Sequence, residues 1–94
     1  MDYATAKAEL DRLTEEQKHA EYMRSKLHTA IDSIYSARCE EVARGGYSSP
    51  YYDAAIRLLK DVYESYEQQV IDTKNLCDQQ KDLIVRIYFG VEEA

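Results

Sequence analysis

Twelve residues in the second half of this chain, from Tyr52, Ile56 and Leu59 through Tyr63, Tyr66, Val70, Thr73, Cys77, Gln80, Ile84, Ile87 and Val91, succeed one another at alternating steps of four and three. Such steps return to one face of an α-helix every 3.5 residues, which is the spacing of a coiled-coil seam. A strand, with its period of two, would scatter the same side chains over both faces. The sequence therefore predicts a single long helix from about Pro50 to Phe89, stopped by Gly90, and this helix needs a partner along its whole seam.

The nearest partner is the chain itself. Tyr3, Ala6, Leu10, Leu13, Ala20, Met23, Leu27, Ile31 and Ile34 fall mostly three or four apart, so a first helix is expected from about Ala4 to Arg44. Gln17 and Arg24 interrupt its apolar face, and Thr14-Glu15-Glu16-Gln17 has the form of a capping box at which the helix could bend or restart. Only Gly45-Gly46-Tyr47-Ser48-Ser49-Pro50 separates the two segments. Gly45 and Gly46 can adopt the positive φ that ends a helix; Ser49 can cap a new one, and Pro50 suits its first position because no N–H is needed there.

The expected architecture is all-α, an antiparallel two-helix hairpin with coiled-coil packing. The 94 residues form one domain, with helix 1 at about 4–44, a turn at 45–49, helix 2 at about 50–89 and a short tail at 90–94. Each helix would be roughly 60 Å long. A second, partial apolar stripe lies to one side of the main seam, at Ala55, Leu58, Val62, Leu76 and Leu83. One partner helix cannot cover both stripes, and a lone hairpin of this size has a small core set against about 1.5 kcal/mol of ordering entropy per residue. Completion to a four-helix bundle by oligomerisation is expected, the partner being itself or another helical hairpin protein.

Composition narrows the function by exclusion. A net charge of -6, with 18 acids interleaved among 12 bases, argues against general nucleic-acid binding and equally against a dense carboxylate mimic of DNA. No window approaches the roughly 18 uninterrupted apolar residues of a membrane span. Met1-Asp2-Tyr3-Ala4 has neither the basic region nor the hydrophobic core of a signal peptide, so a cytoplasmic protein is expected, exported, if at all, without a cleaved signal. Two cysteines are too few for a disulfide scaffold. In a hairpin folded about residues 47 and 48, Cys39 and Cys77 lie about 30 Å apart, so both are expected reduced within one chain.

No residue cluster dictates a reaction, and neither catalytic residues nor a cofactor is expected. His19, Cys77 and Asp78 come to one level of the hairpin, but Cys77 sits on the seam, where a cysteine packs as a small apolar side chain. His19 and His28 are nine apart and neither has a second ligand at helical spacing, so no metal is expected. Tyrosine is unusually frequent, at nine against one Phe and no Trp. Tyr47, Tyr51 and Tyr52 cluster at the hairpin tip with Gly45 and Gly46, either closing the bundle end or forming an interface. Tyr22, Arg24, Lys26 and His28 share a short window that could hold a phosphate or nucleotide, although their even spacing spreads them around the helix.

Two helices of some 40 residues about a central tight turn, in a chain just under 100 residues, resemble the WXG-type small helical proteins of type VII secretion and the similar small partners of LXG toxins. That family's turn carries Trp-x-Gly, where this chain reads Tyr47-Ser48-Ser49. Its export tail, Tyr-x-x-x-Asp/Glu after the second helix, is matched here by Tyr88 to Glu92, and Tyr63 to Glu67 fits the same pattern inside the helix. The resemblance implies a non-enzymatic partner or substrate in type VII-like secretion, with Tyr88 and Glu92 as the recognition pair and Tyr47 packing at the turn. Two alternatives stand beside it. One is a small inhibitory or ligand-sequestering module, viral in one version, binding a nucleotide or host protein through its Tyr-rich surfaces; the other is a structural coiled-coil adaptor.

Overall fold

The computed structural model describes residues 2–46 and 49–90. Two α-helices, α1 (Tyr3–Ala43) and α2 (Pro50–Tyr88), make an all-α antiparallel hairpin, and no strand occurs among the described residues. Neither helix is long and apolar enough to cross a membrane.

The helix ends are set by local chemistry. At the start of α1, Asp2 Oδ1 accepts the Thr5 N–H at 2.8 Å, one of the four donors a helix leaves unpaired at its N-terminus. The bond to Thr5 holds the Asp2 carboxyl below its ordinary pKa. This support is therefore present above the ordinary carboxylate pKa and lost as pH falls through the lowered one. At the other end of α1, Gly45 N–H donates to the Val42 carbonyl at 3.0 Å and Gly46 N–H to the Glu41 carbonyl at 3.2 Å. These two bonds and the left-handed φ of 75° at Gly45 constitute a Schellman stop. Ser49 then caps α2: its Oγ accepts the Tyr51 N–H at 3.2 Å, and Pro50 fills the first helical position. Gly90, at φ 72°, ends α2.

Thr14 does not restart α1. Its hydroxyl donates back to the Leu10 carbonyl at 2.8 Å, four residues earlier, inside an unbroken helix. A capping box requires backbone N–H groups released from helical bonding, and here the preceding turn keeps them.

The chain groups into two compact units, Glu21–Glu67 and Met1–Ala20 with Gln68–Ala94. In the unit of residues 21–67, Ile31 and Ile56 are buried, with Leu27, Ile34, Leu59, Tyr63 and Tyr66 half-buried beside them. Arg38 to Asp53 at 2.7 Å, Tyr52 OH to Glu41 at 2.9 Å and Lys60 to Tyr35 OH at 3.1 Å tie its two helical arms together. In the other unit the buried side chains are smaller and more polar: Ala6, Leu13, Ala20, Val70, Thr73 and Cys77. Thr73 satisfies its hydroxyl on the Gln69 carbonyl at 2.8 Å, and Gln80 Nε2 donates across to the Ala6 carbonyl at 2.9 Å. Every described seam position of α2 from Tyr52 to Ile87 is buried or half-buried.

The stop at the turn yields a direct test. Gly45→Ala places a Cβ on a left-handed residue and should cost about 1–2 kcal/mol in urea unfolding. Gly46→Ala, whose Cβ would stand 2.9 Å from the Glu41 carbonyl oxygen, should also destabilise. An unchanged unfolding free energy in Gly45→Ala would contradict this account of the turn.

Candidate functional site

A two-helix seam buries only part of α2. Ala55, Val62, Leu76 and Leu83 each immediately precede a seam residue, namely Ile56, Tyr63, Cys77 and Ile84, so they flank the seam on one side. A helix that packs against several neighbours carries an apolar stripe of this greater width, whereas a simple coiled coil carries the seam alone.

In the unit of residues 21–67, Tyr51, Ala55, Leu58 and Val62 step by four, three and four along α2. Tyr51 is 82% exposed, Leu58 68% and Val62 46%, with Ala55 half-buried between them. Ile56, one residue from Ala55, is only 5% exposed. The change from buried Ile56 to open Leu58 over two residues marks the edge of what α1 covers. Tyr51 belongs with this row although the sequence places it among the tip residues; the 51-55-58-62 spacing was the available signal. In the other unit Leu76 is 46% exposed and Leu83 half-buried. Tyr88 and Phe89, both exposed, stand edge-to-face with ring centroids 5.3 Å apart at the end of α2.

The tip residues divide. Tyr52 is half-buried and donates to Glu41, and that hydrogen bond holds its phenol above the ordinary pKa. Tyr51 stays in the open. Of the expected tip and tail residues, Tyr47 and Glu92 lie outside the described residues.

The window Tyr22 to His28 also divides. Lys26 lies over the Tyr22 ring, 5.3 Å from its centroid, and both border a hollow with Ser25, Thr29 and Ala30. Arg24 and His28 fall on the other side of Ser25 and Thr29, in a cleft shared with Tyr63 of α2. A neighbouring groove of about 400 Å³ holds His28, Asp32, Lys60, Tyr63, Glu64 and Glu67, with His28 Nδ1 3.2 Å from Asp32 Oδ2. Among the described residues no group of three or more His, Cys, Asp and Glu side chains is placed to hold a metal.

Comparison of the chain with protein families, with characterised proteins and with solved structures found no match to any of them.

The cysteines are free thiols in different settings, Cys39 exposed and Cys77 buried at 3% exposure. In native buffer a maleimide should label Cys39 quickly. Cys77 should react at least about a hundredfold more slowly, at the rate at which the helices open. Comparable native rates would show that the seam around Cys77 is not closed.

Proposed function

We propose that this chain is a non-enzymatic pairing module whose second apolar row on α2 docks against another helical hairpin protein, completing a four-helix bundle. The observation that carries this reading is the exposure of Tyr51, Leu58 and Val62 at helical spacing beside a seam that is already filled. A row stepping by four, three and four is the pattern by which one helix enters a groove between two others. Burying a Leu or Val side chain contributes about 1.5–3 kcal/mol, while association itself costs at least about 4 kcal/mol. Leu58 and Val62 together barely exceed that cost, so Tyr51 is counted in the contact as well.

In its finer form the proposal makes the chain a partner or substrate in type VII-like secretion. Tyr88 and Glu92 would then be read by the secretion machinery, with Phe89 beside Tyr88 enlarging the aromatic surface. What supports this is the exposure of Tyr88 and Phe89 at the end of α2, together with the sequence resemblance already described.

Pairing is tested by light scattering and circular dichroism over a hundredfold dilution, with and without the double substitution Leu58→Glu and Val62→Glu. Both positions are exposed in the single chain, so the substitutions should change its own stability by no more than about 0.5 kcal/mol while abolishing association. An unchanged complex mass in the double variant would refute the proposed face. For the secretion form, truncation after Phe89 should stop export of the protein or its partner with helicity intact; unimpaired export would remove that form and leave pairing standing.

A further inference from the structure

Arg24 stands where a coiled-coil seam ordinarily carries an apolar side chain, four residues after Ala20 and seven before Ile31. It is half-buried, and among the described residues it makes neither an ion pair nor a side-chain hydrogen bond. A guanidinium carries five N–H donors, and holding it at a helix interface without a counter-charge is unfavourable against an apolar residue of similar size. Its surroundings suggest what supplies the missing charge. Arg24 shares a cleft of about 290 Å³ with Ser25, His28, Thr29 and Tyr63. Arg24 and His28 are spaced i, i+4, as are Ser25 and Thr29, so α1 presents two adjacent rows of polar groups, and Tyr63 adds a phenol from α2.

No carboxylate lines this cleft. Asp32, Glu64 and Glu67 belong to the neighbouring groove, which His28 and Tyr63 also border. His28 Nδ1 stands 3.2 Å from Asp32 Oδ2, so a neutral imidazole donates to Asp32 through Nδ1 and has Nε2 as its acceptor. Thr29 uses its hydroxyl proton on the Ser25 carbonyl in a long 3.2 Å bond. A bond of that length yields readily to a charge-assisted one. The cleft is smaller than most sites for drug-sized ligands, which occupy about 300–1,000 Å³. A chain of net charge -6 also repels extended polyanions.

We infer that the cleft of Arg24, Ser25, His28, Thr29 and Tyr63 binds inorganic hydrogen phosphate. The guanidinium fork takes two phosphate oxygens, the hydroxyls of Ser25, Thr29 and Tyr63 donate to the others, and the phosphate's own O–H donates to His28 Nε2. Sulfate has the same shape but carries no proton at neutral pH, so it cannot donate to Nε2. This inference does not depend on pairing through α2.

The test is thermal unfolding of the full chain at pH 7 in inorganic phosphate, sulfate and acetate at matched ionic strength. Phosphate should raise the midpoint by about 6–11 °C at ten times its Kd, and sulfate and acetate by much less. General salting effects act on any protein, and sulfate shares them with phosphate, so the difference between the two isolates the site. Arg24→Met should raise the midpoint in the absence of ligand, because it fills the seam, and should abolish the phosphate increment. The Ser25→Ala and Thr29→Ala double variant should retain the fold and bind phosphate about tenfold more weakly. Glycerol phosphate, whose ester group is mostly deprotonated at pH 7, should raise the midpoint less than inorganic phosphate does. Equal midpoints in phosphate, sulfate and acetate, or a full phosphate increment in Arg24→Met, would overturn it.

Discussion

One helix can cover only one seam of another, and the rest of this molecule follows from that limit. α2 carries an apolar face wider than a coiled-coil seam, and α1 supplies a single helix to cover it. Ile56, Val70 and Cys77 are closed off, while Leu58, Val62 and Leu76, a few residues from them, are open. Exposed apolar residues scattered singly need no explanation. A row at helical spacing does, because its period shows that the sequence specifies a surface there.

The two units meet the packing problem with different materials. Residues 21–67 close with branched aliphatics and tyrosines, reinforced by Arg38 to Asp53 and Tyr52 to Glu41. The other unit closes with Leu13 and Val70 beside alanines, Thr73 and Cys77, the last four of which allow close backbone approach but bury little area each. Its polar seam contact, Gln80 to the Ala6 carbonyl, contributes direction more than strength. A hydrogen bond of this kind is satisfied at one alignment of the helices and lost in others, as polar seam residues in coiled coils specify register at some cost in stability.

Arg24 is the exception among the polar seam residues. Thr73 and Gln80 find backbone carbonyls, but Arg24 finds none among the described residues, and its neighbours in the cleft are hydroxyls and an imidazole. Natural sequences violate local packing preference mainly where something else is gained. Apolar docking along α2 and a polar cleft beside α1 use different residues, so the chain can carry both without conflict.

The helices, their ends and the seam were legible in the sequence, because each depends on short-range chemistry. Four-three spacing selects a helical face, glycine permits the positive φ of Gly45, and Ser49 with Pro50 starts α2 whatever the rest of the chain does. Thr14 was misleading for the same reason: a capping-box pattern is local, and whether its hydroxyl caps or bonds back to Leu10 depends on whether the helix opens there. Only the tertiary structure decided which side chains stay open and which meet. Whether Leu58 faces α1 or solvent, and whether Arg24 and His28 or Tyr22 and Lys26 come beside Tyr63, depends on the rotation of each helix about its axis. That rotation is set by packing along the whole seam at once, and no short window of sequence contains it.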